Sequence, residues 1–216
     1  MDIIYYGHSC FKISGKSASL VTDPFDPEST GLKLPKTSAD IVTCSHTHSD
    51  HNFVSGVSDV HKLVQNPGEY EIRGISILAF PSFHDDTHGT ERGENIIYVY
   101  ELEGFRIAHL GDLGHKLDDT MLSNIGDIDV LMIPVGGTYT IDAETAVQVT
   151  QAIEPRIVIP MHFRSPGLKA ELAEKLQPVD DFIKALGRTE EHTKKLSLKQ
   201  GTLLPEDLKL IILDRS

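Results

Sequence analysis

Tryptophan is absent from this chain of 216 residues, and aromatic residues make up only 6% of it. Long apolar runs are missing too. None approaches the ~18 to 20 residues that a membrane-spanning helix needs, so the sequence predicts no membrane segment. The stretch 1–6 lacks the basic region of a secretion signal and leads directly into a strand pattern. With 39% hydrophobic residues the chain can build one good core, and we expect a single domain over residues 1–216.

Cysteine is scarce, with only Cys10 and Cys44 in the chain. Each lies in or beside a strand pattern, where a free cysteine behaves as a small buried hydrophobe. We therefore expect both thiols to be reduced and buried, which fits a cytoplasmic protein. We assign neither as a catalytic nucleophile and leave open whether Cys44 neighbours a metal.

Basic residues are fewer than acidic ones. The chain has 20 Lys and Arg and 32 Asp and Glu, which give a formal net charge of −12. A nucleic-acid groove requires clustered Lys and Arg, so this charge argues against a nucleic-acid partner. The sequence also lacks the G-x-S-x-G elbow of serine hydrolases and the P-loop of nucleotide-binding proteins. A small-molecule substrate is the expected partner, and the oligomeric state stays open.

The most informative stretch that the sequence does contain is Thr43–His51. It holds four strong metal ligands within six residues: His46, His48, Asp50 and His51. The stretch follows an apolar run, Asp40–Cys44, that is typical of a buried strand. Alternate side chains of an extended segment share a face, so His46 and His48 should point the same way. Imidazoles with one carboxylate suit zinc or a similar first-row ion better than calcium or magnesium.

The pattern H-x-H-x-D-H in this stretch resembles the signature of the metallo-β-lactamase superfamily. That resemblance implies an α/β fold, the αββα four-layer sandwich, with a site for one or two metal ions. It also implies three further ligands, each just after a strand: a lone His, an Asp in a Gly-Asp turn and a last His. The residues at those positions are His84, Asp112 and His162. The resemblance therefore runs from the first strand to at least residue 163.

The opening Tyr6–Phe11 and the later Thr22–Pro24 narrow the resemblance to the branch of metal-dependent hydrolases related to L-ascorbate-6-phosphate lactonase. This resemblance places His8, in the first turn, near the metal centre, with a surface-loop histidine as the alternative. Asp23 stands at the end of a strand pattern. It either hydrogen-bonds a ligand histidine or simply forms the turn.

The family pattern also distributes the ligands between two divalent ions. One ion would be held by His46, His48 and His84, and the other by Asp50, His51 and His162, with Asp112 as the bridge. A carboxylate between two cations lowers their mutual repulsion, which suits the bridging position. Zinc is the preferred metal, with manganese or iron as alternatives, because availability often decides among them.

This arrangement implies hydrolysis by a metal-bridging hydroxide. Metal binding lowers the pKa of water from about 15.7 toward roughly 7, so a nucleophile is available at neutral pH. Asp50 is placed to orient that nucleophile as well as to bind metal. The proton donor must come from neighbouring loops, where His8, His88 and Tyr139 are the candidates. We prefer His84 to His88 as the ligand because His84 directly follows a strand pattern.

The leading hypothesis is therefore a metal-dependent hydrolase that cleaves a small, anionic ester or lactone. The alternative is a phosphodiesterase or nuclease of the same superfamily, which the acidity and the lack of a basic exosite disfavour. An oxygen-reducing di-iron protein is a further alternative, but such sites carry a glutamate where this chain has His48. A metal-binding module without turnover also stays open.

Periodicity predicts the elements around these residues. Strands are expected at 3–6, 10–14, 19–22, 71–72, 75–80, 95–102, 105–110, 130–135, 156–160 and 208–213. Helices are expected at 52–57, after a cap at Asp142, from 165 to 178, and over 180–186. The segment 190–195 is charged, and we expect its His192 to be exposed.

Overall fold

The computed structural model describes residues 1–216, and β-strands are its main elements. In chain order the strands are β1 (Asp2–Gly7), β2 (Cys10–Ser14), β3 (Ser19–Thr22), β4 (Thr37–Ser38), β5 (Ile41–Thr43), β6 (Val57–Ser58), β7 (Lys62–Val64), β8 (Gly68–Ile72), β9 (Ile75–Phe83), β10 (Glu94–Leu102), β11 (Phe105–His109), β12 (Val130–Pro134), β13 (Ile157–Met161), β14 (Glu190–Thr193), β15 (Leu196–Ser197) and β16 (Lys209–Leu213). The predicted strands at 10–14 and 19–22 are confirmed residue for residue.

Short helices connect these strands. They are α1 (Pro27–Thr30), α2 (Asp119–Ile125), α3 (Ala143–Ile153), α4 (Ala170–Ala173) and α5 (Val179–Leu186), with a 3-10 turn at Val54–Gly56. Even the longest, α3, has only 11 residues. None of these helices has the length and apolar character needed to cross a membrane.

The strands form two large mixed sheets. The first has six strands in the order β15-β1-β2-β3-β5-β7, antiparallel through β3 and parallel from there to β7. The second has eight strands in the order β14-β16-β13-β12-β11-β10-β9-β8, antiparallel from β8 to β11 and parallel beyond. Strands β4 and β6 pair separately.

The two large sheets share one hydrophobic core. A single cluster of 45 buried residues includes members of both sheets, which shows that their inner faces pack together. Polar contacts also cross between the sheets from β10. The hydroxyl of Tyr98 donates to the carbonyls of Cys44 and Val64, and that of Tyr100 lies 2.7 Å from Oγ1 of Thr43. This architecture fits the predicted α/β sandwich.

Helix α3 begins as predicted, because the Asp142 side chain accepts a hydrogen bond from the Thr145 backbone N–H. Its buried residues are Ala143, Ala146, Val149, Thr150 and Ile153, whereas Val147 is only half-buried. The helix packs against β12 and α5.

Two predicted helices are wrong. At 52–57 the structure has only the 3-10 turn Val54–Gly56, followed directly by β6. The helix expected from residue 165 is reduced to α4, because Gly167 adopts a φ of +92° and the Lys169 N–H donates to the Thr30 carbonyl across the chain. The charged segment at 190–195 contains β14, which pairs in parallel with β16 at the edge of the second sheet. An edge strand can remain polar because one of its sides faces solvent. Helix α2 was not predicted.

The fold places the predicted ligands through its topology. The six-stranded sheet supplies the turn between β1 and β2 and the segments after β3 and β5. The eight-stranded sheet supplies the segments after β9, β11 and β13. The residues of interest from both sheets therefore lie next to the strand ends, as the sequence predicted.

Candidate metal centre

The structure brings the seven predicted ligands together into overlapping groups. Within each group the potential ligand atoms all lie within 4.8 Å of one another. The groups are His46, His48 and His84; His8, Asp50, His51 and His162; and His46, His51 and Asp112. The first group is the set predicted for one ion. The second contains the set predicted for the other ion and adds His8.

Asp112 lies between the two sets, at the position predicted for a bridging ligand. Its Oδ2 is 3.1 Å from Nε2 of His162, 3.2 Å from Nε2 of His51 and 3.3 Å from Nε2 of His84. Ligands about 2.0 to 2.1 Å from a common ion are typically separated by roughly 3.0 to 3.3 Å. The separations of Asp112 from these three histidines are therefore compatible with shared ions.

The charge balance around His51 favours a cation. Its Nε2 is also 3.8 Å from Oδ2 of Asp50. Burial by itself lowers the pKa of His51, but the charges of Asp112 and Asp50 raise it well above its usual range. Burial opposes the ionisation of Asp112, yet His162 and His51 outweigh it and hold the pKa of Asp112 well below its ordinary value. The pocket thus gathers buried carboxylates whose charge a divalent ion would balance.

Unpaired polar atoms in the pocket also fit metal ligands. Nε2 of His46, Nε2 of His51 and Oδ1 of Asp112 are buried and have no hydrogen-bond partner. Buried polar atoms are nearly always satisfied, so three buried polar atoms without hydrogen bonds in one cluster are compatible with a metal partner. Five imidazoles and two carboxylates form a donor set that zinc and similar ions prefer.

His51 is oriented by Asp23, which resolves the two interpretations of that residue. Oδ2 of Asp23 lies 2.9 Å from Nδ1 of His51, so the ring presents its other nitrogen to the cluster. The carboxylate also accepts the backbone N–H of Ser45 at 2.7 Å and its hydroxyl at 2.6 Å. Burial opposes ionisation of Asp23, but the hydrogen bond from His51 and the charges of the neighbouring histidines together outweigh it and lower the pKa. Asp23 is therefore a hydrogen-bonding partner of a ligand and not only a turn-forming residue.

Asp112 is positioned by Gly111 and Asn95. Gly111 has a φ of +55°, and a Cβ there would lie 2.3 Å from Oδ1 of Asn95 and 2.6 Å from Cβ of Ser45. That same Oδ1 accepts the Asp112 backbone N–H at 2.9 Å, while the Asn95 amide donates to Oγ of Ser82 and the Leu110 carbonyl. Sequence reasoning missed Asn95. Its one signal was a polar residue at the start of an otherwise apolar strand.

His109 is a satisfied core histidine, as predicted. It is fully buried, and its Nδ1 accepts the backbone N–H of Gly111 at 3.2 Å. The opposite nitrogen, Nε2, then carries the proton and donates to the Ser9 carbonyl at 2.8 Å. His109 thereby connects the β1–β2 turn to the turn that carries Asp112.

His8 lies inside the cluster, so the alternative of a surface-loop histidine is wrong. It is buried, and its Nε2 is 3.1 Å from Oδ2 of Asp50. Its ring centroid is 4.1 Å from that of His162 and 4.9 Å from that of His51. Burial, together with the charge of His162, lowers the pKa of His8 to about 4, although Asp50 acts in the opposite direction.

The two other predicted proton donors differ in position. His88 is exposed, packs edge-on against Phe83 at 5.4 Å between ring centroids, and does not line the cavity over the cluster. The polar loop turns its side chain outward, which corrects the prediction. Tyr139 does line that cavity, and the Lys175 ammonium lies 5.6 Å from the centroid of its ring.

The cavity over the cluster has a volume of about 540 Å³, which suits a small molecule. Only two of its 14 lining residues are hydrophobic. Three basic side chains reach its wall, those of Arg92, Lys169 and Lys175. The acidic lining residues are Glu91, Glu171 and two predicted metal ligands, Asp50 and Asp112. With the charges of Asp50 and Asp112 balanced by metal, the three basic side chains favour an anionic group in the cavity.

The loop that carries Arg92 is organised by Asp85, a residue that sequence reasoning missed. The carboxylate accepts backbone N–H groups from four loop residues and the Thr87 hydroxyl. Those four residues are Thr87, Gly89, Glu91 and Arg92, at 2.7 to 3.0 Å. Burial opposes ionisation of Asp85, but the N–H groups of Arg92 and Gly89 outweigh it and lower the pKa. The loop is therefore fixed around one buried carboxylate.

Comparison with known proteins is consistent with this geometry. A family described as "Beta-lactamase superfamily domain" matches residues 2–162, about three quarters of the chain, and this range includes all seven predicted ligands. A UPF0173 metal-dependent hydrolase of Thermoplasma acidophilum is 31% identical over 192 residues, covering 76% of this chain and 84% of the relative. A UPF0173 metal-dependent hydrolase of Thermococcus onnurineus is 28% identical over 232 residues, and the match covers 94% of this chain and 99% of the relative.

The fold is shared with a crystal structure from Thermotoga maritima. That protein is named as a Zn-dependent hydrolase of the metallo-beta-lactamase superfamily. The match has a TM-score of 0.78 at 34% identity and covers 99% of this chain and 98% of the other. The metallo-β-lactamase-like fold predicted from the sequence is confirmed.

Proposed function

This chain belongs to the beta-lactamase superfamily, and from that premise we propose that it is a metal-dependent hydrolase that cleaves a small, anionic ester or lactone. The observation that carries the proposal is the convergence of five histidines and two carboxylates from both sheets beneath one polar cavity. Relatives named as metal-dependent hydrolases over most of their length support it.

The residues present fit two divalent ions. We assign His46, His48 and His84 to one, and Asp50, His51 and His162 to the other, with Asp112 shared. We propose zinc because the donor set is rich in nitrogen and the Thermotoga maritima relative is named as Zn-dependent. Such ions lower the pKa of a water molecule and polarise the oxygen of a carbonyl or phosphoryl group.

Asp50 is the residue that we assign to orienting the attacking water. Its carboxylate is half-buried beside the cavity and is held by Nε2 of His8 at 3.1 Å. Burial opposes ionisation of Asp50, but the charge of His51 and the hydrogen bond and charge of His8 together outweigh it and lower the pKa. Asp50 therefore remains a hydrogen-bond acceptor at neutral pH, which is the form that can hold a water proton.

The cavity wall supports an anionic substrate. Lys169 donates to the Glu28 carbonyl, and Arg92 lies 3.9 Å from the carboxylate of Glu91. Lys175 makes no ion pair, and its pKa is raised first by a hydrogen bond with Tyr139. Lys175 and Arg92 are accordingly the cations that we assign to the charged group of the substrate.

Tyr139 is the proton donor that we propose for the leaving group. It is half-buried on the cavity wall, where the Lys175 ammonium lies 5.6 Å from the centroid of its ring. The other candidates fit less well, because His88 faces away from the cavity and Nε2 of His8 is already directed at Asp50.

The test is elemental analysis of protein purified without added metal, followed by turnover on a panel of lactones, esters and phosphodiesters. We expect about two equivalents of a divalent metal and turnover of the anionic lactones or esters. Asp112→Asn should lose at least one ion and lower kcat/KM by more than about a hundredfold. Asp207→Asn, an exposed carboxylate outside every metal group, is the matched control.

Four outcomes would count against the proposal. Absence of bound metal would remove the mechanism, and retention of both ions by Asp112→Asn would remove the shared ligand. Turnover restricted to phosphodiesters would instead establish the phosphodiesterase alternative. Binding of two ions without turnover of any compound in the panel would favour a metal-binding module.

A further inference from the structure

We propose that His8 is itself a metal ligand and completes a four-donor site with Asp50, His51 and His162. This inference rests on the proposed function, because it concerns the second of the two ions assigned there. The family pattern places three of these residues at that ion, and the structure adds the histidine from the β1–β2 turn.

The first argument is the convergence of the ligand atoms. The four residues form one group in which all potential ligand atoms lie within 4.8 Å of one another. Nε2 of His8 is 3.1 Å from the Asp50 carboxylate, which matches the separation of two ligands on one ion. Its ring is close to those of both His162 and His51, so the three imidazoles surround one point.

The second argument is that the protein fixes the His8 backbone in a special conformation. The residue has a φ of +56°, in the left-handed region that side chains other than glycine rarely adopt. Its carbonyl accepts hydrogen bonds from the Tyr5 hydroxyl at 2.9 Å and the His162 backbone N–H at 2.8 Å. The turn is therefore tied directly to another ligand, and its side chain has no access to solvent.

The proposal makes the two metal sites unequal. The site of His8, Asp50, His51 and His162 has four donors before Asp112 is counted, whereas the other site has three histidines. Structural zinc sites are filled by four protein ligands, and catalytic ones keep a position open. The site of His46, His48 and His84 would then be the one with room for a further ligand, and its exposed His48 lines the cavity together with Asp50 and His162 of the other site. Substrate should bind on that side.

The experiment is a titration of the full chain with Co²⁺ after removal of bound metal by a chelator. Visible absorption of Co²⁺ reports the number and type of ligands, and the binding curve reports stoichiometry and affinity. His8→Asn is the principal variant, because asparagine tolerates the left-handed conformation. His8→Ala is the second variant, and His192→Asn, an exposed histidine outside every metal group, is the control. Circular dichroism checks that each variant is folded.

We expect wild type and His192→Asn to bind two ions with the same spectrum. Both His8 variants should bind the first ion normally and the second at least tenfold more weakly, with an altered absorption band. Unchanged affinities and spectra in folded His8→Asn would overturn the proposal and leave His8 as a hydrogen-bonding partner of Asp50. A wild-type chain with two ions but no hydrolysis contradicts the proposed function alone, because this titration does not depend on turnover.

Discussion

His8, Asp23 and His162 share a left-handed backbone, with φ values of +56°, +38° and +53°. For a residue other than glycine this conformation costs about 1–2 kcal/mol. Such strain persists only where the surroundings impose it, and it concentrates at functional sites. Here the surroundings are the hydrogen bond between the His8 carbonyl and the His162 N–H, and the three donors on the Asp23 carboxylate.

At Asp23, the structure predicts a loss of metal affinity without loss of a ligand. Asp23→Asn replaces one acceptor oxygen by an N–H₂ group, while His51 and two groups of Ser45 still require acceptors. We expect the affinity for the second ion to fall about 10- to 100-fold, which is typical when the partner of a ligand histidine is lost. Competition with a chromophoric chelator measures it.

The matched control is Asp26→Asn, in the same segment of the chain. Asp26 caps α1 by accepting the Glu28 backbone N–H, and asparagine is an equally good helix cap. This variant should bind metal like wild type. Equal affinities for the Asp23 and Asp26 variants would show that His51 needs no partner to hold its orientation.

The sequence predicted the candidate ligands better than the residues that support them, because several ligands are close together in the sequence and most supporting contacts are not. His46, His48, Asp50 and His51 lie within six residues, so their spacing is recognisable in the sequence itself. Asn95 acts through a contact with a residue 17 positions away, and Asp85 through contacts with residues two to seven positions away, so neither stands out as a motif. His8 had a visible position but no visible role, because its partner Asp50 is 42 residues distant.

At the scale of elements, the loop at 85–94 should depend on the Asp85 carboxylate. Asp85→Ala removes the acceptor for four backbone N–H groups, so we expect faster hydrogen exchange of the amides of residues 87–92. Because the loop carries Arg92 to the cavity, KM for an anionic substrate should rise more than kcat falls. Asp86→Ala, the exposed neighbour, should change neither. Unchanged exchange in the Asp85 variant would mean that other contacts hold the loop.

The turn after β11 requires a glycine for two separable reasons. A Cβ at Gly111 would meet Asn95 and Ser45 at 2.3 and 2.6 Å in addition to the strain of a positive φ. Gly104, in the β10–β11 turn, has a φ of +83° but open space around it. We expect Gly104→Ala to cost about 1 kcal/mol from backbone strain alone, and Gly111→Ala about 3 kcal/mol or more. Urea unfolding measures both, and equal costs would show that the Asp112 turn can relax.

Strands were predicted well where they lie inside a sheet with a neighbouring strand on each side, and elements at the sheet edges were predicted poorly. Strands β2 and β3 lie inside a sheet, so their apolar patterns and a Gly15 turn fix their ends. Strand β14 is exposed and charged, and only its pairing with β16 makes it a strand. In the segment expected to be a helix from residue 165, Leu176 is buried, Leu172 lines the cavity and Leu168 packs against the smaller core cluster. These leucines therefore do not pack together as one helical face, and the hydrogen bond from the Lys169 N–H to the Thr30 carbonyl fixes the backbone instead.

For the molecule as a whole, the candidate site joins the two sheets. His8, Asp23 and the segment 46–51 follow strands of the six-stranded sheet, whereas His84, Asp112 and His162 follow strands of the eight-stranded one. Neither sheet has a complete ligand set for the pair of ions. Metal binding therefore requires that the sheets be packed together, and it should stabilise that packing in return.

Removal of metal should accordingly lower the melting temperature of the whole chain. Metal at about 1,000 times its Kd stabilises the folded state by about 4 kcal/mol. For a chain of this length that corresponds to a decrease of roughly 10 °C when a chelator is added. The decrease should be reversed by added Zn²⁺ and should be much smaller in Asp112→Asn, whose shared ligand is already lost. Differential scanning calorimetry with and without chelator measures it. Because the proposed ligands come from both sheets, a melting temperature unaffected by the chelator in wild type would mean that the sheets pack independently of metal.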